Sequence, residues 1–115
     1  MIPVTAEGIR SVYVMLQSFP PFSRWNLPKA EKITFSVVPF VGMWSDFDPK
    51  TNHMRVSEKK ITTFLCLVEA VAHEMCHMRQ EKINRWSSKN PHNEDFKKMT
   101  SQVCKHFPFM DPGNF

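Results

Sequence analysis

Apolar residues near the start of the chain recur at the spacing of one helix face. Ile9, Val12, Leu16 and Phe19 follow one another by three and four positions, which places them in one stripe of a helix. Thr5 supplies a capping hydroxyl ahead of that stripe, and Pro20-Pro21 stops it because proline lacks the N–H a helix needs. From Phe22 to Lys32 the pattern lapses, and Pro28 marks the stretch as a loop. The period then changes. Ile33 to Val38 is dense in β-branched and aromatic residues, and Phe40 to Ser45 is a second such run beyond Pro39. Asp46 to Asn52 carries turn chemistry, including Asp48-Pro49, and His53 to Val56 returns as a third strand. The economical arrangement is a small antiparallel meander.

A second helix begins at Ser57 or Thr62 and runs to about Asn84. Phe64, Val68, Val71, Met75 and Met78 share one side of it, which is its core stripe. His73 and His77 fall near the opposite side, with Ala70 and Cys66 one and two turns earlier. Small residues beside two histidines leave room for a ligand. Arg85 to Asn90 is a polar connection. Asn90 or Asn93 caps a last helix, with Pro91 suited to a first turn and Glu94 and Asp95 near the positive end of the helix dipole. Phe96, Met99, Val103 and Phe107 form its apolar stripe, and Pro108 to Phe115 is a tail. The fold class expected is α+β: an N-terminal helix, a three-stranded antiparallel sheet, a long helix and a C-terminal helix. At 115 residues the chain, 1–115, fits a single domain.

Composition narrows this modestly. Hydrophobic residues make up 42% and charged residues 23%, the balance of a soluble globular protein. No apolar run reaches the roughly 18 residues needed to span a bilayer, so no membrane partner is expected. Glu7 and Arg10 interrupt the first apolar stretch, which lacks signal-peptide architecture. A cytoplasmic or nucleoid-associated protein is expected. The three cysteines, Cys66, Cys76 and Cys104, form no C-x-x-C pair, and buried reduced thiols are the natural reading. The net charge of +4 favours acidic partners, DNA or DNA-bound protein among them, but the basic residues are scattered as on a solvated surface.

The chemistry concentrates in His73-Glu74-Met75-Cys76-His77. Residues four apart on a helix lie one turn apart on one face, so two imidazoles can reach a single zinc ion. Glu74 is rotated off the metal axis, where it can take a proton from a water beside the ion. Cys76 is turned about 60° from the two imidazoles and is not counted as a ligand. Three protein ligands are usual in a catalytic zinc site. Glu81, His92, Glu94 and His106 are downstream candidates. Glu81 is suitably spaced but would crowd the open position, and geometry favours His92, at a turn into a helix that can fold back over the first. For stabilising an oxyanion, Tyr13, His53, Arg85 and His106 have suitable chemistry, with nothing in their spacing to single one out. Trp25, Trp44 and Trp86 suit a core or cleft wall better than stacking on bases.

These motifs resemble the SprT-like family of zinc metallopeptidases, the group that includes Spartan. That family reads His-Glu-x-x-His, a variable connection, then His-Gly-x-x-Phe and basic residues. Here the second motif is His92-Asn93-Glu94-Asp95-Phe96-Lys97-Lys98. Phe40-Val41-Gly42 and Met54-Arg55-Val56-Ser57 are similar to strands of the family's sheet. The resemblance covers roughly residues 20–107. It implies a zincin-like fold, one Zn2+ ion held by His73, His77 and His92, Glu74 as general base, and a polypeptide substrate. Asn93 stands where the family prefers glycine, and asparagine is the next most tolerant residue of a left-handed turn. The chain shows no four-cysteine zinc ribbon after these motifs, so a minimal domain is expected. The function expected is zinc-dependent hydrolysis of peptide bonds, with an extended peptide lying along an edge strand. The competing expectation is a non-catalytic zinc-binding or DNA-associated module.

Overall fold

A computed structural model describes residues 4–84 and 89–111. Helix α1 (Ala6–Gln17) starts at Thr5, whose hydroxyl accepts from Gly8 N at 2.9 Å. It buries Ile9, Val12, Tyr13 and Leu16. Phe19, expected to end that stripe, lies beyond the helix and is 51% exposed, its ring edge-on to Phe107. Two short 3₁₀ turns, Phe22–Arg24 and Ala30–Lys32, lead into the sheet.

The sheet differs from the expected meander. Strands β1 (Thr34–Val38), β2 (Ser45–Asp48) and β3 (His53–Ser57) lie in the order β1-β3-β2. β1 pairs with β3 in parallel and β2 with β3 antiparallel, so the sheet is mixed. Burial explains the order. Met54 and Val56 of β3 are fully buried, whereas β2 carries Asp46 and Asp48 and suits an edge. The second strand is also displaced. Phe40 and Val41, read as strand on their residue types, are exposed and belong to a crossing segment between β1 and β2. That segment passes over the end of β3, where the Ser57 hydroxyl donates to the Phe40 carbonyl and Ser57 N donates to the Trp44 carbonyl. The β2–β3 turn follows its sequence. Asp48 Oδ1 accepts from Lys50 N, and Asn52 takes a left-handed φ of 53°.

Helix α2 (Phe64–Lys82) is capped by Thr63, which accepts from Cys66 N at 3.1 Å. Val68, Val71, Met75 and Met78 are buried as their spacing predicts, while Phe64 in the first turn is 69% exposed. Asn84, with φ 58°, turns the chain out of the helix. Helix α3 (Glu94–His106) begins at the second of the two expected caps. The Asn93 side chain accepts from Phe96 N, and Phe96, Met99 and Val103 are buried. α2 packs against α1, α3 and β2, so its polar side is framed by α3 and the edge of the sheet. Among the described residues no helix is long and apolar enough to cross a membrane.

Candidate metal centre

Helix α2 sets His73 and His77 one turn apart, with Nε2 atoms 3.1 Å from each other. His92, in the connection before α3, brings its Nε2 to 3.3 Å from that of His73. The ligand atoms of all three lie within 4.8 Å of one another. Two nitrogens bound to one tetrahedral ion at about 2.0–2.1 Å stand roughly 3.3 Å apart, the spacing of His73 to each of the other two. His92 is exposed, and the other two rings are half-buried. The cluster therefore opens to solvent on the His92 side.

Two features hold the rings. Phe96, in the first turn of α3, lies against all three, stacked on His77 at 4.4 Å, tilted against His92 at 4.8 Å and edge-on to His73 at 5.0 Å. It is only 2% exposed, so Phe96→Ala is expected to cost about 3–5 kcal/mol in denaturant unfolding. A loss under about 1 kcal/mol would mean the ring does not pack as described. The second feature is Gln80. Its Oε1 lies 2.6 Å from His77 Nδ1, within hydrogen-bond distance, and such a partner orients the ring. Burial holds His73 down to about pKa 3, helped by the neighbouring His77 and His92. Burial likewise lowers His77 to about 4, against the Gln80 hydrogen bond and with His92 adding to the fall. At neutral pH these two rings are uncharged, and a neutral imidazole carries one nitrogen lone pair.

Glu74 is buried beside them, its Oε2 4.0 Å from His73 Nε2. Burial pushes its carboxyl up to about 7, against a 2.6 Å hydrogen bond donated by Ser45 Oγ to Oε2. Ser45 and Phe47 share one face of β2. The serine reaches α2 while the phenylalanine packs on the core. A cleft of about 450 Å3 runs past this carboxyl, walled by Trp44, Ser45, Cys66, Ala70 and His73. Cys66 and Ala70 thus border the open space their helical positions foretold.

The SprT-like family model matches residues 24–112. The chain belongs to the SprT-like family. No curated protein and no solved structure gives a match. The matched SprT-like span holds the whole sheet, α2, α3 and both motifs, with His73, Glu74, His77 and His92 among their residues. Membership points to a metalloprotease-related function, and the three histidines form a candidate metal-binding cluster.

The remaining candidates lie elsewhere. Glu81 is exposed, and Glu94 is 3.9 Å from Lys97. Tyr13 donates to the Pro28 carbonyl, His53 pairs with Ser36 Oγ, and His106 lines a separate cavity with Arg24 and Lys105. Arg85 and Trp86 fall outside the described residues. Trp25 is buried and Trp44 walls the cleft. All three cysteines are free thiols, and Cys76 is fully buried with its thiol pushed well up by desolvation. Asn93 is not left-handed: at φ −77° it is extended and serves as a helix cap, a role for which asparagine is well suited and glycine less so. Gln80 and Ser45 were missed from sequence. Gln80 had a signal, since it follows His77 by three positions on one helix face; Ser45, 29 residues from Glu74, had none.

Proposed function

We propose that this SprT-like chain is a zinc-dependent metallopeptidase that hydrolyses peptide bonds of extended or unfolded polypeptides. The observation that carries the reading is the convergence of three Nε2 atoms beside a buried carboxyl at the edge of an open cleft. The donor set fits zinc. Imidazole suits this borderline ion better than hard cations such as magnesium, and three protein donors leave a fourth position open, as in catalytic sites. Zinc bound there supplies a Lewis acid that brings a water's pKa to about 7 and polarises a peptide carbonyl.

The chain's own residues do the rest. His73, His77 and His92 hold the ion through Nε2. Glu74 accepts a proton from water on its carboxylate and returns it to the leaving nitrogen. Ser45 keeps Oε2 in place while that proton comes and goes. β2 is an edge strand, and Trp44 and Ser45 at its start line the cleft beside Glu74. An extended peptide adds to that edge by main-chain hydrogen bonds. A purely structural zinc site would call for a fourth protein ligand closing the ion, and among the described residues the candidate cluster has three members.

The zinc-loaded chain is expected to cleave an unfolded polypeptide, supplied free or bound to DNA. Chelation should abolish cleavage, and zinc but not magnesium should restore it. Gel analysis of the products checks this; cleavage indifferent to chelation would overturn the reading.

A further inference from the structure

We propose that Gln80 is a positioning residue that sets two of the three histidines at once: the tautomer of His77 and the placement of His92. The inference rests on the metal-holding reading of the cluster and names a residue that the two motifs do not contain.

Gln80 is a fully buried polar side chain on α2. A carboxamide has one acceptor oxygen and a nitrogen with two donor hydrogens, and both ends are engaged. Oε1 lies 2.6 Å from His77 Nδ1, while Nε2 lies 2.9 Å from the Pro91 carbonyl and 3.1 Å from Asn93 Oδ1. Chemistry allows only one orientation of the amide. A backbone carbonyl can only accept, so the nitrogen must face Pro91. Asn93 Oδ1 already accepts from Phe96 N, so it too presents an acceptor to Gln80. The oxygen of Gln80 therefore faces His77, whose Nδ1 must carry the proton. The lone pair is left on Nε2, the atom that points at His73.

The other end of the amide acts on His92 without touching it. Pro91 and Asn93 are its two neighbours in the chain, and Gln80 ties down both. Asn93 in turn caps α3, which carries the Phe96 ring against the cluster. One side chain of α2 thus fixes an exposed histidine from another part of the chain against the pair on its own helix. Hydrogen-bonding partners of metal-binding histidines commonly contribute 10–100-fold in affinity.

A residue that merely fastened the connection to α2 would leave the His77 tautomer alone, so the test reads that tautomer. In the metal-free full chain labelled with 15N, long-range 1H–15N correlation should show His77 protonated on Nδ1. Gln80→Leu should lose that preference and weaken zinc binding by roughly 10–100-fold in competition titrations. Gln80→Glu separates the two duties and serves if the leucine variant fails to fold. It keeps an acceptor for His77, so the Nδ1 proton should stay, but it cannot donate to Pro91 and Asn93 when ionised, so zinc binding should still weaken. His92→Ala is the control. Equal zinc affinity in wild type and His92→Ala would overturn the metal-holding reading and this inference with it. A His92-dependent site whose affinity and His77 tautomer survive both Gln80 substitutions would overturn the inference alone.

Discussion

Glu74→Gln is expected to lower peptide hydrolysis by about 10²–10⁴-fold, the usual contribution of a positioned general base, while zinc affinity stays within a few-fold of wild type. The amide has the carboxyl's shape and can still accept the hydrogen bond from Ser45 Oγ. It cannot take a proton from water. Glu74 also lies outside the three converging nitrogens, so the ion's donors are intact. The same pair of proteins reports on the carboxyl's burial. In the metal-free protein its folded pKa is raised to about 7 from the ordinary 4.5, so the folded state binds this proton more tightly than the unfolded chain. Stability from this group is full below about pH 4.5 and is lost as pH rises through about 7. The histidines run the other way: their lowered folded values mean that stability is gained as pH rises from about 3 or 4 toward 6.5. That gain is common to both proteins, so the difference between them isolates Glu74. Metal-free Glu74→Gln should gain stability relative to wild type between pH 5 and pH 8, by an amount on the order of 3 kcal/mol. Denaturant unfolding at the two pH values checks the sign, and turnover of an unfolded substrate checks the loss of hydrolysis. Full activity in Glu74→Gln would remove the carboxyl from the mechanism.

His92→Ala should reduce zinc affinity by more than the roughly 100-fold that follows loss of a supporting hydrogen bond, because it deletes a donor outright. His92 is exposed, and substitutions at exposed positions usually change stability by about 0.5 kcal/mol or less. Affinity and folding are therefore separable at this position. At Phe96 they are not, since the ring is buried in the core as well as stacked on His77. Competition against a chromophoric chelator, with thermal melts of the metal-free proteins, checks both halves. A variant that binds zinc as wild type does would overturn the reading in which the three histidines hold the ion together.

Much of this arrangement was legible in the residues, and what was not had physical causes. The two histidines four apart, the core stripe of α2 and the Asn93 cap follow from local rules that hold wherever the helix packs. The sheet was harder. β-branched and aromatic residues at Phe40 and Val41 read as strand, yet strand formation rewards packing on a half-buried surface, and the crossing segment has none. The order β1-β3-β2 depends on which strand is most fully buried, a property of the assembled core that hairpin logic does not contain. Phe64 fits the α2 stripe by angle but stays exposed, on the wall of an open groove that it shares with Val12 and Met15 of α1. Ser45 and Glu74 meet only because β2 lies at the edge beside α2, so the misplaced second strand hid that contact as well.

The most direct measurement is zinc-edge X-ray absorption on the zinc-loaded chain and on His92→Ala. Wild type should give three imidazole nitrogens and one further light atom at about 2.0–2.1 Å, with two imidazoles left in the variant. A sulfur scatterer at about 2.3 Å, or an imidazole count unchanged by removing His92, would contradict a site built from His73, His77 and His92.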